Sequence, residues 1–294
     1  MNKNMDVVLL ADTHITVPCS WSMGMRNLRA MMMDITQQEY QTILINGDLT
    51  NQGYACQLKT FFDFLKEYPE KHFLINIGNH DTWAHGKRDM LSYAKQSLSS
   101  LYQTSLPRIY HSYEIDDIVF LMLNPETKCR RCSYLSREQL DWLKQNLMEC
   151  EKQKKQVIIC CHHPLQGDLV KNKGMSIGPQ NDELYDLLSQ FHDLIYISGH
   201  THHHYSECGV QQTSFGYLLD IPSFHLNGRS MSHHGSGIVL SIRNDMVTIR
   251  YRNFLTSTWL PKSYHIDLSM HTIEETNPLL EALENVMLQG LKRI

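Results

Sequence analysis

The chain has 294 residues and a mass of 34.3 kDa, and 42% of its residues are hydrophobic, which is enough for one large core. Its formal net charge of −4 at pH 7 argues against binding through a broad basic surface, so nucleic acid is not an expected partner. No apolar stretch approaches the roughly 20 residues of a membrane-spanning helix, and the first ten residues do not resemble a signal peptide, so we expect a cytoplasmic protein without membrane contact.

The first 80 residues alternate short apolar runs with amphipathic stretches. Strands are predicted over residues 6–11, 42–46 and 72–77, and helices between them over residues 25–40 and 55–68. This alternation predicts parallel strands whose carboxyl ends lie side by side. Ligands of open α/β sheets bind outside those ends, so the polar residues that follow the strands are expected to converge.

The middle of the chain predicts further helices and strands. Helices are predicted over residues 86–101, after Ser136 and over 182–191, strands over 157–161 and 194–197, a hairpin over 110–115 and 118–123, and a loop over 166–180. The run Ser136-Arg137-Glu138-Gln139 fits a capping box, in which Gln139 reaches back to the Ser136 cap.

The C-terminal part of the chain has a different pattern of apolar residues. Short apolar runs over residues 215–221, 237–242 and 246–251, separated by turn signals, predict antiparallel strands. From Thr272 onward, apolar residues at helical spacing predict an amphipathic helix that packs on the body or on a partner. We therefore divide the chain into a domain over residues 1–270 and a C-terminal helix over residues 271–294.

The eight cysteines favour a reducing compartment. Cys160 and Cys161 continue an apolar run and are interpreted as core residues. Cys129 and Cys132 form a C-x-x-C motif, but they lack the second pair that a structural zinc site needs and also lack a thioredoxin-like setting. We interpret them as part of a plain loop, although the two arginines between them could lower a thiol pKa.

Five polar motifs follow apolar runs. They are Asp12-Thr13-His14, Gly47-Asp48, Gly78-Asn79-His80-Asp81, His162-His163-Pro164 and Gly199-His200-Thr201-His202, the last continuing into His203-His204. Taken one at a time, Asp and Asn after strands are commonly turn or cap residues, and a histidine tract is a weak signal. Five such motifs at successive strand ends favour a single site instead.

In this order the motifs resemble the pattern of the calcineurin-like metallophosphoesterase superfamily: D-x-H, G-D, G-N-H-D or G-N-H-E, a histidine at a strand end, and G-H-x-H. The match spans Asp12 to His202, about two thirds of the chain. The G-N-H-D and H-H-P spellings are most similar to the branch with cyclic-nucleotide and glycerophosphodiester phosphodiesterases. The resemblance implies an α/β fold, an α+β sandwich of central mixed β-sheets flanked by helices in four layers.

The resemblance also implies a centre of two divalent metal ions. Asp12, His14 and His202 would hold one ion, Asn79, His162 and His200 would hold the other, and Asp48 would bridge both. A set of nitrogen and oxygen ligands without cysteine suits Mn, Fe, Zn or Co and does not choose among them.

Catalysis and substrate binding are assigned to residues beside these ligands. The histidine that matches His80 stabilises or protonates the leaving oxygen in the family, and Asp81 would orient it or tie down its loop. Candidate substrate contacts are Asn79, His80, His163 and His204, and His85 and Arg88 could face a substrate anion. The family ligand in H-x-P is the first position, which favours His162 over His163. The roles of His203, His225, His233 and His234 stay open.

The implied function is metal-dependent hydrolysis of phosphoric esters by a phosphodiesterase, in which a metal-bridging hydroxide attacks the phosphorus of a small-molecule substrate. Three alternatives stay open: a phosphomonoesterase or nucleotidase of the same family, a DNA-repair-type nuclease, and a non-catalytic binding scaffold. The acidic balance argues against the nuclease, and the complete ligand set argues against the scaffold. The sequence leaves the substrate, the metals and the oligomeric state undetermined.

Overall fold

The computed structural model describes residues 3–19, 21–83, 89–127, 132–167, 176–225 and 234–278. The helices in this part of the chain are α1 (Met23–Gln37), α2 (Ala55–Leu65), α3 (Met90–Leu101), α4 (Arg137–Gln153) and α5 (Asn181–Leu188). The strands are β1 (Asn4–Leu10), β2 (Thr42–Asn46), β3 (His72–Asn76), β4 (His111–Ile115), β5 (Ile118–Leu123), β6 (Gln156–Cys161), β7 (Leu194–Ser198), β8 (Val210–Thr213), β9 (Gly216–Asp220), β10 (Ser236–Arg243), β11 (Met246–Asn253), β12 (Thr258–Asp267) and β13 (Thr272–Thr276).

The strands form two mixed sheets. One has the order β13-β12-β11-β10-β1-β2-β3 and the other the order β4-β5-β6-β7-β9-β8. The strands β1, β2 and β3 are parallel, as are β5, β6, β7 and β9, whereas β10 to β13 pair antiparallel. The predicted parallel first part is therefore present, and β10 and β11 confirm two of the three predicted antiparallel strands, joined to the first part where β1 pairs antiparallel with β10. The prediction is wrong for residues 215–221 where β9 pairs with β7, because that pairing is parallel and lies in the second sheet.

Alternating side chains build three apolar layers. In β2, Ile43 and Ile45 pack with helices α1 to α3, while Leu44 packs between the two sheets. Leu143 of α4 and Leu184 of α5 cover the outer face of the second sheet. The order helix, sheet, sheet, helix confirms the predicted four-layer sandwich of central mixed sheets flanked by helices.

Asn46 at the end of β2 connects the two sheets beneath the strand ends. Its side-chain amide donates to the carbonyls of Cys161 in β6 and Ile197 in β7, at 3.0 and 3.1 Å. Asn76 in β3 donates to Asn46 Oδ1 at 2.7 Å. The Asn46 side chain is thus paired through both its oxygen and its nitrogen, and its contacts hold the ends of both sheets together.

Several local predictions are corrected. Ser136 caps α4 by accepting from the backbone N–H of Gln139 at 3.1 Å, but the Gln139 side chain does not reach back as a capping box requires. It donates instead to the carbonyl of Asn124 at 2.9 Å. The strands β8 and β12 had no clear sequence signal and were not predicted.

The prediction of a helix from Thr272 is wrong at its start. Residues Thr272–Thr276 form β13, which pairs antiparallel with β12, because Thr272, Ile273 and Thr276 are β-branched and complete the sheet edge. The sheet therefore extends beyond the predicted boundary at residue 270. Residues 279–294 lie outside the described part, so the helix there and the two-part division stay predictions.

Two further predictions concern the C-x-x-C cysteines and contact with a membrane. Cys132 is disulfide-bonded, so a loop of free thiols is wrong at that position, and its partner lies outside the described residues. No helix among the described residues is both long and apolar enough to cross a membrane.

Candidate metal centre

The predicted motifs lie at the carboxyl ends of neighbouring parallel strands in both sheets. Six of the seven predicted metal ligands are less than 10% exposed: Asp12, His14, Asp48, Asn79, His162 and His200. The seventh, His202, is partly exposed. We call these seven side chains the ligand cluster. The convergence expected from parallel strands is therefore present, although it draws on two sheets where the strand alternation alone suggested one.

Two groups within the ligand cluster have the spacing of metal ligands. One consists of Asp12, His14, Asp48 and His202, the other of Asp48, His162 and His200, and within each group the ligand atoms lie within 4.8 Å of one another. In the first group, the Nε2 atoms of His14 and His202 are 3.0 Å apart. Two imidazole lone pairs at that distance need a proton or a cation between them.

Asp48 belongs to both groups and presents one oxygen to them. Its Oδ1 accepts a hydrogen bond from the backbone N–H of His80 at 2.8 Å. Its Oδ2 lies 3.3 Å from Nε2 of His162 and 3.7 Å from Nε2 of His14, and it makes no hydrogen bond to the described residues. Gly78 lies so close that a Cβ there would collide with this carboxylate. Backbone contacts thus aim Oδ2 at the histidines.

Asp12 is oriented in the same way, with one oxygen held by a backbone N–H group and the other facing a histidine. Its Oδ2 accepts from the backbone N–H of His200 at 3.2 Å, and its Oδ1 lies 3.2 Å from Nε2 of His202. That Oδ1 also makes no hydrogen bond to the described residues. A buried acceptor without a donor is costly unless a cation satisfies it, so both carboxylates fit a metal site.

Electrostatics keep these two carboxyl groups ionised. Burial acts to raise the pKa of Asp48, but His162 and His14 lower it below its usual range. Burial likewise acts to raise the pKa of Asp12, and His202 and His14 hold it well below its usual range. Both side chains are therefore anionic at neutral pH, as metal ligation requires.

His162 is oriented as a ligand by its other nitrogen. Its Nδ1 lies 2.8 Å from the carbonyl oxygen of Asn46, which can only accept, so Nδ1 carries the proton. Its Nε2 then faces Asp48 and makes no hydrogen bond to the described residues. Burial acts to lower the pKa of His162, but Asp48 and Asp12 raise it to about 9, so a bound cation would take the place of the Nε2 proton. An N–H bonded to a backbone carbonyl is the usual partner of a metal-ligating histidine.

The cluster stores backbone strain. Five of its residues have a positive φ: Asp12 (58°), His14 (42°), Asp48 (50°), His200 (69°) and His202 (53°). Such conformations cost side-chain-bearing residues roughly 1–3 kcal/mol each and persist only where the surroundings enforce them. Here the loops after β1 and β2 are bonded together, from Asp12 N–H to the Gly47 carbonyl at 3.1 Å and from His14 N–H to the Asp48 carbonyl at 3.0 Å.

His80 lies beside Asp48 with one nitrogen facing the cluster. Its Nδ1 donates to the carbonyl of Asn51 at 2.8 Å, and its Nε2 lies 3.9 Å from Asp48 Oδ2. Its ring stacks on Trp83 with centroids 3.5 Å apart. Burial lowers the pKa of His80, against the opposing influence of Asp48 and the Asn51 carbonyl. Neither Asn51 nor Trp83 was predicted, because a carbonyl contact and a ring stack leave no sequence motif.

Asp81 faces the loops and not the cluster. Its carboxylate accepts from the backbone N–H groups of Leu49, Thr50 and Gly78 at 3.1, 2.8 and 2.9 Å, and from the Thr50 hydroxyl at 2.8 Å. Burial and the charge of Asp48 raise the pKa of Asp81 to about 6, while these hydrogen bonds lower it. Of the two predicted roles, the geometry favours tying down the loop over orienting His80, since these four donors belong to Leu49, Thr50 and Gly78.

Asp81→Asn is therefore expected to destabilise the fold. An amide has one acceptor oxygen, so its NH₂ group would meet either the Thr50 donors or the Leu49 and Gly78 N–H groups, at a cost of roughly 1–3 kcal/mol for each orphaned donor. Urea unfolding measures the change, with Asp63→Asn as control, since Asp63 pairs with Lys59 on the surface. Unchanged stability together with lost activity would restore the catalytic role.

The remaining histidines separate by position. His163 is fully buried and contacts the Ser133 hydroxyl through Nδ1 at 2.7 Å, which favours a structural role over the predicted substrate contact. His204 contacts Ser206 of its own loop at 2.7 Å, and its substrate contact stays a prediction. The backbone N–H of His225 donates to the carbonyl of Asp12 at 3.1 Å, so His225 borders the cluster. Burial, with His14, His234 and His202 nearby, lowers the pKa of His225 to about 4. His85, Arg88 and His233 lie outside the described residues.

Comparison with known proteins gives the family. The family model of calcineurin-like phosphoesterases matches residues 5–204. A curated relative from Vesicomyosocius okutanii subsp. Calyptogena okutanii (strain HA), named "Probable cyclic nucleotide phosphodiesterase", is 24% identical over 254 residues, which is 84% of this chain and 97% of the relative.

Solved structures share the fold at low sequence identity. A dimetal phosphatase from Danio rerio has a TM-score of 0.64 and 13% identity, over 86% of this chain and 97% of that one. A purple acid phosphatase from yellow lupin (Lupinus luteus) seeds has a TM-score of 0.63 and 13% identity, over 91% of this chain and 54% of that one. The two sheets, the ligand groups that indicate divalent metal ions and the match over most of the sequence agree: the chain belongs to the calcineurin-like phosphoesterase family and is a phosphoric ester hydrolase.

Proposed function

We propose that the chain is a phosphodiesterase that hydrolyses a small-molecule substrate at a centre of two divalent metal ions. The observation that carries the proposal is the sharing of Asp48 between two groups of ligand atoms. In this centre Asp12, His14 and His202 would hold one ion, Asn79, His162 and His200 would hold the other, and Asp48 would be shared between them. Oδ1 of Asp48 accepts from the His80 N–H, so Oδ2 is the oxygen left to face the ions.

Two divalent ions in such a centre supply Lewis acidity to the phosphoryl oxygens and lower the pKa of a bound water. The protein holds the carboxylates ionised and fixes their free oxygens with backbone N–H groups, so the ligands need little reorganisation when metal binds. The set does not choose among Mn, Fe, Zn and Co.

His80 is proposed as the group that supplies a proton to the leaving oxygen. Since Nδ1–H is committed to the Asn51 carbonyl, the nitrogen that exchanges a proton with substrate is Nε2, which points toward Asp48. Burial disfavours the imidazolium, so the negative charge of the entering phosphoryl group supports protonation when it is needed. The leaving oxygen is therefore placed on the His80 side of the cluster.

Two considerations support a diester over a monoester. The relative with 24% identity is named as a probable cyclic nucleotide phosphodiesterase. In addition, the motifs Gly78-Asn79-His80-Asp81 and His162-His163-Pro164 are most similar in spelling to the branch with cyclic-nucleotide and glycerophosphodiester phosphodiesterases.

A substrate panel tests the proposal. Purified protein supplied in turn with Mn²⁺, Fe²⁺, Zn²⁺ and Co²⁺ is assayed with 3′,5′-cyclic AMP, bis(p-nitrophenyl) phosphate, p-nitrophenyl phosphate and single-stranded DNA. We expect turnover of the small diesters with at least one metal, and kcat/KM for the monoester at least about tenfold lower, which corresponds to about 1.4 kcal/mol of transition-state stabilisation.

The other outcomes each select a different function. A higher kcat/KM for p-nitrophenyl phosphate would make the chain a phosphomonoesterase. Faster cleavage of DNA than of the small diesters would make it a nuclease. Metal binding without turnover of any substrate would leave a binding scaffold.

A further inference from the structure

A buried carboxylate lies behind the loop that carries two of the predicted ligands. Asp220 ends β9, which runs parallel to β7, and it pairs in register with Ser198 at the end of β7. The loop from Gly199 to His204 leaves β7 at the same level. Asp220 is 1% exposed and belongs to neither ligand group of the metal centre.

The Asp220 carboxylate holds both neighbours of His202. The Thr201 hydroxyl lies 3.2 and 3.1 Å from its two oxygens. His203 Nδ1 lies 2.7 Å from Oδ2 and must donate, because a carboxylate only accepts. The backbone N–H of His203 lies 3.4 Å from the Thr201 hydroxyl oxygen, which closes a ring of contacts around His202.

These contacts surround residues whose backbone conformation is unfavourable. His200 and His202 have φ values of 69° and 53°, in the left-handed region that residues with a Cβ avoid. Left to itself, the loop would relax toward ordinary φ values, and the imidazole of His202 would turn away from Asp12. Since Thr201 lies between these two residues and His203 follows them, a carboxylate that binds both side chains opposes that relaxation.

We propose that Asp220 is a positioning residue that holds the His202 imidazole in the metal centre through Thr201 and His203. The inference rests on the proposed two-metal function and deepens it by naming the residue on which one ion depends. It also gives His203, which has no place in the family motif, a role as part of this support.

A competing use of the same residues is a third metal site. Ligand atoms of His203, Cys208 and Asp220 lie within 4.8 Å of one another. The short contact between His203 and Asp220 already satisfies one carboxylate oxygen, and the Thr201 hydroxyl donates to the same group. A cation there would have to displace these hydrogen bonds, which is why we assign the group to support of the loop.

The test measures metal binding directly. Mn²⁺ is titrated calorimetrically into metal-stripped wild type, Asp220→Ala, Asp220→Asn and His203→Ala, and the metal content of each loaded protein is measured by mass spectrometry. Wild type is expected to bind two ions. Asp220→Ala and His203→Ala are expected to weaken one of them by about 10–100-fold, as loss of residues that support ligands does, and to leave the other unchanged.

Asp220→Asn provides the conservative variant. Its amide oxygen still accepts from one of the two donors, so its affinity for the affected ion should fall between those of wild type and Asp220→Ala. The matched control is Asp193→Asn, which breaks an exposed contact of 3.3 Å between Asp193 and His271 at the opposite end of β7. Its affinities for both ions should equal those of wild type.

The outcomes separate this proposal from the proposed function. Fewer than two ions in wild type would overturn the two-metal centre itself. Two ions in wild type with unchanged affinities in Asp220→Ala and His203→Ala would overturn only the positioning role. Equal weakening of both ions with a lower unfolding temperature would show a general structural role and also overturn it. Three ions in wild type, one of them lost in Cys208→Ser, would replace it with a third metal site.

Discussion

Asp48→Asn is expected to remove metal binding and activity together. The amide oxygen can take over the Oδ1 position, where it accepts from the His80 N–H, but its NH₂ group then occupies the position of Oδ2. That position lies 3.3 Å from Nε2 of His162 and 3.7 Å from Nε2 of His14. The variant therefore places a donor without charge where both ions need an anionic oxygen. The loss of affinity should exceed the roughly 10–100-fold typical of residues that only support ligands.

The measurement pairs metal content with kcat/KM on the same preparation. Asp6→Asn is the control, because Asp6 lies at the opposite end of the first sheet from the cluster and pairs with Arg243 at the surface. Such exposed ion pairs contribute little to stability, so the control should keep its metal and its rate. Full metal content in Asp48→Asn would refute the bridging assignment, even if the rate fell.

The candidate site was predictable where local sequence determines position. A polar residue directly after a buried strand must lie at that strand's end, and parallel strands place such ends together, so Asp12, Asp48 and Asn79 could be assigned to one place. That His162, from the second sheet, joins them was implied by the family pattern. The division of these ligands into two groups around Asp48 was implied by the family pattern, and the side-chain geometry agrees with it.

What escaped prediction depends on contacts distant in sequence. Asp220 lies 17 residues beyond His203 in an ordinary apolar strand, and only the pairing of β7 with β9 brings the two together. For Asp81 two roles were predicted, and the choice between them follows from three backbone N–H groups that no motif encodes. The same reason accounts for the wrong prediction over Thr272–Thr276. The spacing of its apolar residues predicts a helix, but the segment pairs with the edge strand β12.

His80→Ala is expected to keep both metals. Its kcat should fall most for substrates whose leaving group needs a proton. The side chain of His80 belongs to neither ligand group, and the backbone N–H that fixes Asp48 remains in alanine. A sugar alkoxide leaving from a cyclic nucleotide needs protonation, so kcat for that substrate should fall by about 10²–10⁴-fold. A p-nitrophenolate ion leaves without a proton, so bis(p-nitrophenyl) phosphate should lose much less.

This difference between substrates identifies proton donation, because a general disturbance of the site would slow both equally. The control is His72→Ala, which removes an exposed imidazole at the start of β3, the end of that strand away from the cluster. Tryptophan emission adds a readout independent of turnover: Trp83 stacks on His80 with centroids 3.5 Å apart, so removing the imidazole should change its fluorescence. Equal losses on the two substrates would overturn proton donation, since a contact to the phosphoryl oxygens, or a general disturbance of the site, affects the rate whichever group leaves.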